Sequence, residues 1–238
     1  SAMLAFGGIV GYLYKGVYAD TPFMGKNGIG TILATAIPLV QLKVLSTNRL
    51  YYYIFFVFIL SGLILSMSVG AWVGLVMGEI LLLFLGSKRI RRSIVILVLF
   101  TVISFIIFSI HSILVGNNLL SFFHTRLDPY SASKEERIYI WKSSIKMFLD
   151  HPIIGVGIGT FPLVYPSYKL PEAREFSMSF AHNLPLNLLV ETGIFGFLSF
   201  LAFIISLYKR GLRLYKEAQD DFTLTLIASL TAYLGHQL

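Results

Sequence analysis

The strongest constraint on this chain is a series of long apolar runs, several of them close to the roughly 20 residues a helix needs to cross a bilayer. They lie near 29–45, 51–67, 70–85, 94–115, 184–208 and 222–238; a further run at 2–14 is too short to span. Hydrophobic residues make up 56% of the 238 positions and charged residues 13%, against about 25% charged in a typical soluble domain. A soluble globular enzyme is excluded, and so is a disordered chain, which needs low hydrophobicity and high charge. Cysteine is absent, which removes disulfides, thiolate-bound metals and thiol nucleophiles together. The expected fold is all-α, a polytopic transmembrane helix bundle forming one membrane domain over 1–238. Because apolar sequence runs to both ends, the chain is expected to be part of a larger membrane protein. A secretory signal peptide at the start would need a basic n-region that the sequence lacks.

Charge sets the expected orientation. Basic residues cluster at Lys88, Arg89, Arg91 and Arg92, at Lys209, Arg210, Arg213 and Lys216, and at Lys43 with Arg49. If the spans alternate, these clusters share one side, which the positive-inside rule makes cytoplasmic. The connection 116–181 then lies outside. The net charge of +7 reads as topology and as contacts to anionic membrane lipids. No basic stripe is interleaved with aromatics as nucleic-acid binding would require, so nucleic acid is not an expected partner.

The outer connection is too long for a plain linker, and loops of this length are usually functional or disordered. Ser133 with Glu136 makes a capping box. Ile138, Trp141, Ile145, Phe148 and Leu149 recur at helical spacing, predicting an amphipathic helix over 134–149 before Pro152. Its apolar face is expected either to lie on the outer membrane surface or to pack on other helices. The run Gly155-Val-Gly157-Ile-Gly159-Thr160 has no Lys to make it a phosphate-binding loop. It is expected to be a tight re-entrant turn whose amides lie near a ligand.

His182-Asn183 stands where the outer loop meets the next span, with Gly193 and Gly196 following inside it. The stretch His182-Asn-Leu-Pro-Leu-Asn-Leu-Leu-Val-Glu191-Thr-Gly193-Ile-Phe-Gly196 resembles the O-antigen ligase and polymerase superfamily of bacterial membrane glycosyltransferases. An upstream block does too: Arg137 with Trp141, then Asp150-His-Pro-Ile-Ile-Gly155-Val-Gly157-Ile-Gly159-Thr-Phe161. The resemblance runs from about Gly25 to Leu238. It implies a multi-pass protein of the bacterial cytoplasmic membrane, with its active site on the extracytoplasmic face. The implied reaction transfers a glycan from an undecaprenyl diphosphate carrier to an acceptor glycan or glycolipid, with inversion and without a metal or other cofactor. The family histidine matches His182, and the family's loop arginine matches Arg137.

These residue types suit that chemistry. Negative charge grows on a diphosphate leaving group, and arginine meets it with bidentate, permanently protonated contacts. Without a metal, cationic side chains supply the electrostatic stabilisation. A sugar hydroxyl is a poor nucleophile that a base improves, and histidine titrates in the useful range. His182 and Arg137 are therefore the candidate catalytic residues, with Arg126, Arg174 and Lys26 as candidate substrate-binding cations. Asn183, Glu191, Gly193 and Gly196 are expected to be structural, the two glycines by letting another helix approach closely. Glu79, deep in its span, has no assigned role, and His111, His124, His151 and His236 show no metal-ligand spacing.

One departure stands out. Where the family carries an arginine between two spans, this sequence reads Ser68-Val69-Gly70. Lys26, in Gly25-Lys26-Asn27, is the candidate substitute. The competing readings are a transporter, which would be expected to carry internal repeats, and a non-catalytic family member.

Overall fold

A computed structural model describes residues 25–47, 49–114 and 132–238. Among them every regular element is helical: α1 (Lys26–Thr47), α2 (Leu50–Ser66), α3 (Val69–Leu85), α4 (Lys88–Leu114), α5 (Ala132–Asp150), α6 (Phe161–Tyr168), α7 (Leu184–Ala218) and α8 (Asp221–His236). The expected all-α membrane architecture is what the structure has. By length and composition, 27–47, 88–107 and α7 are apolar enough to cross a bilayer, while α2 and α3 are shorter apolar helices. The candidate extracytoplasmic loop carries α5 and α6, joined and followed by non-helical segments at 151–160 and 169–181.

The helices form two compact units. The first holds α1 to α4, α8 and the C-terminal part of α7. Its core gathers Ile29, Leu33 and Ile37 of α1 with Phe56, Ile59, Leu60 and Leu63 of α2 and Leu75 of α3. Phe56 meets Phe100 of α4 edge-on at 6.0 Å. The α2–α3 connection is only Met67-Ser68. Met67 takes a left-handed conformation at φ 53° and closes the helix with its N–H on the Ile64 carbonyl.

Helices α3 and α8 pack backbone to backbone. Gly70, Gly74 and Gly78 recur every fourth residue and line one face of α3. A Cβ at Gly78 would stand 2.7 Å from the Ala228 carbonyl oxygen, and one at Gly74 would overlap the Ala232 carbonyl. The close helix approach expected at Gly193 and Gly196 therefore occurs here instead. Glu79 finds its partner across the same core, where Gln41 of α1 donates from Nε2 to its Oε2 at 3.4 Å.

The second unit holds α5, α6 and the N-terminal part of α7. Its core is Ile140, Met147, Phe161, Tyr165, Ala181 and Val190. Helix α5 forms where expected, but its buried face is rotated from the one the spacing predicts. Ile140, Ser143, Ser144 and Met147 are buried, whereas Ile138, Ile145 and Leu149 are exposed. Small serines explain the choice. They let neighbouring segments approach, and Ser144 satisfies its hydroxyl on the Ile140 carbonyl at 2.8 Å. Glu136 does not close a capping box either. Its two carboxylate oxygens accept the Arg174 and Glu175 amides at 2.9 and 3.0 Å. The Ser133 side chain lies outside the described residues.

Overpacking a close helix contact is destabilising by about 1–3 kcal/mol. Gly74→Val is expected to reach the upper end of that range, because the obstructing atom is backbone. Gly25→Ala, with no neighbour in reach among the described residues, should be neutral. Thermal unfolding of the two variants in detergent checks the difference.

Candidate functional site

Helix α7 does not run straight. At Gly193 the backbone takes φ 65° and ψ −168°, a region essentially restricted to glycine. The break releases carbonyl groups upstream of it, and the chain at 152–157 takes them up. The Val156 amide donates to the Val190 carbonyl at 2.9 Å and the Gly157 amide to the Glu191 carbonyl at 3.0 Å. In return the Ile194 amide donates to the Pro152 carbonyl at 2.8 Å. Gly155, Gly157 and Gly159 all have positive φ, so the three glycines of the run let it turn sharply enough to follow the broken helix. A Cβ at Gly155 would stand 2.5 Å from the Val190 oxygen.

The glycine run is thus a tight turn, as expected. Its amides at 156 and 157, however, are bonded to α7 rather than turned toward a ligand. Gly193 is approached by this loop and not by another helix. At Gly196, a Cβ would overlap the side chain of Thr192 one turn earlier in the same helix. Glu191 adds a long contact, accepting the Phe161 amide on Oε1 at 3.4 Å. That contact links α7 to the start of α6.

The junction fixes the start of α7, and with it His182. Asn183 is the cap, its Oδ1 accepting the Leu186 amide at 2.9 Å, as expected of an N-cap asparagine. His182 is therefore not the capping residue. The peptide before it is held at both ends. The Ala181 amide donates to Asn187 Oδ1 at 3.0 Å, and the Ala181 carbonyl accepts from Trp141 Nε1 at 3.0 Å. His182 itself sits at φ 54°, a left-handed conformation uncommon outside glycine but tolerated by histidine. Its ring packs against Phe180 with centroids 4.5 Å apart.

Trp141 lies one helical turn after Arg137, so the two share a face of α5. That arrangement brings Arg137 into the electrostatic range of His182. Burial holds the His182 pKa below the usual histidine value, and the positive charge of Arg137 lowers it further. Both effects favour the unprotonated imidazole. Arg137 is exposed. Arg174, also exposed, is brought to the same end of α5 by the bonds from 174 and 175 to Glu136. Sequence reasoning missed Tyr165, which is fully buried and whose hydroxyl has no hydrogen-bond partner among the described residues. Burial raises its pKa, helped by the charges of Glu136 and Glu175. Phe161 and Tyr165 stand one helical turn apart in α6, and both belong to the core of this unit.

Arg126 and His124 lie outside the described residues. Lys26 belongs to the other unit, where it opens α1. Its neighbour Asn27 accepts the Ser68 hydroxyl on Oδ1 at 3.1 Å, and Ser68 is the neighbour of Val69. Val69 is 57% exposed at the start of α3.

A family model described as O-antigen ligase matches residues 54–201, more than half of the chain. The chain belongs to the O-antigen ligase family. The matched stretch takes in Val69, Arg137, Arg174, His182, Glu191, Gly193 and Gly196, and leaves Lys26 outside. No curated protein matches the chain. Membership in the O-antigen ligase family carries an O-antigen-ligase-like role in surface polysaccharide biosynthesis at a membrane.

Two outcomes follow from this geometry. Gly193→Ala forces an alanine into a glycine-only conformation against the Ile153 carbonyl, and backbone strain of this kind costs about 1–3 kcal/mol. Protease sensitivity at 153–159 should rise with it. In Arg137→Ala, loss of the nearby positive charge should raise the His182 pKa toward the ordinary value, read by NMR titration of the imidazole. An unchanged titration would separate the two residues.

Proposed function

We propose that this chain transfers a glycan from an undecaprenyl diphosphate carrier onto the hydroxyl of an acceptor glycan or glycolipid at the extracytoplasmic face of the bacterial cytoplasmic membrane. The observation that carries the reading is a conformationally constrained His182 held within the electrostatic range of Arg137. The acceptor hydroxyl attacks the anomeric carbon of the donor glycan, and its proton passes to His182. The bond from that carbon to the diphosphate oxygen breaks, and undecaprenyl diphosphate leaves with the bonding electrons. Attack from the face opposite the leaving group inverts the anomeric centre.

Arg137 and Arg174 neutralise the charge that develops on the diphosphate, the task a metal performs in other glycosyl transfers. Arg126 is a further candidate for the same contact. A lowered histidine pKa suits a base that must begin the reaction without its proton. The reading is independent of metal ions, so chelators are expected to leave transfer intact.

Lys26 is proposed to replace the family arginine absent at position 69. The hydrogen bond from Ser68 to Asn27 supports this, since it joins the neighbour of Val69 to the neighbour of Lys26. The exposure of Val69 also leaves room for a longer side chain there.

The test is complementation of a deletion strain with the full-length gene, followed by analysis of surface glycan and carrier-linked intermediates. Wild type should restore surface glycan. His182→Ala should leave carrier-linked glycan accumulated at normal protein level and membrane insertion. Accumulated single repeat units would identify a polymerase, and accumulated long chains a ligase. Lys26→Ala should reduce transfer, and adding Val69→Arg to it should recover part of the loss. Full restoration by His182→Ala would remove the catalytic assignment and leave the non-catalytic reading.

A further inference from the structure

Among the described residues, Glu79 is the one acidic side chain buried in the core of the first unit. It is 8% exposed on α3, and its neighbour Gln41 on α1 is 3% exposed. The bond between them, from Gln41 Nε2 to Glu79 Oε2 at 3.4 Å, uses one polar atom of each. The other two, Glu79 Oε1 and Gln41 Oε1, are buried with no hydrogen-bond partner among the described residues. The oxygens of an ionised carboxylate can only accept, and so can the oxygen of an amide. With Glu79 charged, therefore, neither of these atoms can satisfy the other.

Among the described residues no ion pair offsets that charge. Helix α3 packs against α8 and α1. On α8, Asp221 accepts the Ser87 hydroxyl at 3.0 Å, Tyr233 is exposed, and His236 lies against Gly70, about 13 Å along α3 from Glu79. On α1, Lys43 is exposed, and Lys26 opens the helix about 22 Å before Gln41. Arg89 of α4 gives its guanidinium to the Leu45 carbonyl. A carboxylate buried among apolar helices without a counter-charge is costly. A proton removes the charge and the mismatch together. It makes Glu79 Oε1 a donor and gives it Gln41 Oε1 as acceptor.

The pair sits at a sensitive point of α1. Pro38, inside that helix, has no N–H to give the Ala34 carbonyl. The segment beyond it has one tie fewer to the rest of α1 and depends more on its side-chain contacts. We propose that Glu79 holds a proton and makes a two-bond acid–amide clasp with Gln41, which fastens the part of α1 beyond Pro38 to α3. When a base in the medium takes the proton, the carboxylate is left with an amide oxygen it cannot bond. The second bond of the clasp is lost, and that part of α1 loosens about Pro38. The first unit thus contains a proton-operated joint. It uses none of the residues assigned to glycan transfer and is independent of that reading.

The test is infrared difference spectroscopy of the full-length protein, wild type minus Glu79→Gln, in vesicles of phosphatidylethanolamine with phosphatidylglycerol. A glutamine amide makes both bonds to Gln41 without a proton, so this variant keeps the joint closed at every pH. At neutral pH the expected difference is the carbonyl band of a protonated carboxyl group, shifted in deuterated water and lost as the pH is raised. The chain has no cysteine of its own, so nitroxides can be placed singly and read by EPR. On Lys43→Cys, an exposed position beyond Pro38, the label should gain mobility over the pH range in which the band is lost. It should gain none when Glu79→Gln is added. On Ala36→Cys, before Pro38, the label should stay unchanged. Carboxylate bands in the neutral-pH difference would mean a charged Glu79, satisfied by water or a cation, and would overturn the proposal. A carboxyl band that persists at every pH the vesicles tolerate, or one lost with no change at position 43, would make the pair a fixed strut and overturn the joint. An equal gain at position 36 would mean general loosening of α1 and overturn it too.

Discussion

The second unit depends on a single interruption. Gly193 breaks α7, and the carbonyls of Val190 and Glu191 are given to amides of the loop rather than to α7's own next turn. A buried unpaired backbone group is heavily penalised, so a helix break and the loop that heals it must be present together. That explains the concentration of glycines at 155, 157, 159 and 193, all of which have positive φ. Each alone would weaken the structure, and jointly they produce a paired junction with backbone bonds of 2.8–3.0 Å.

The chemistry hangs from this junction. Because the start of α7 is fixed, Asn183 and Asn187 can hold the backbone on either side of His182. Trp141 then ties the same peptide to α5, one turn from Arg137. The site thus needs no long flexible reach. Arg137 and His182 arrive together because Trp141 of α5 and Asn187 of α7 both bond Ala181. The electrostatics agree with the geometry, since the charge on Arg137 favours the unprotonated imidazole. In the proposed transfer, pre-positioning of this kind would spare the reaction the reorganisation that water otherwise requires.

Much of the fold was legible in the sequence, and the exceptions share a cause. The membrane helices followed from apolar runs because a helix in lipid has to be apolar along its length. The existence of α5 followed from helical spacing, but its buried face did not. Ser143 and Ser144 are polar by type and buried by size, and hydrophobic spacing carries no information about size. The Gly193 break was hidden because the apolar pattern of 184–208 runs through it unchanged. Its signal was the pair of glycine clusters, one in the loop and one in the helix, which only pairing in space connects. The stripe at Gly70, Gly74 and Gly78 is written at i+4 spacing, whereas the glycines expected to let a helix approach were Gly193 and Gly196. For the site, His182 and Arg137 came from resemblance to a family. Their electrostatic coupling and the backbone clamps around them came from the structure.

The most direct measurement is transfer by the purified full-length protein in vesicles. The donor would be a defined glycan on a polyprenyl diphosphate, with an acceptor glycan supplied and a chelator present. Glycan on the acceptor and free polyprenyl diphosphate, formed in equal amounts, are the predicted result. Donor translocated across the vesicle membrane but chemically intact would contradict the account and assign the protein to transport.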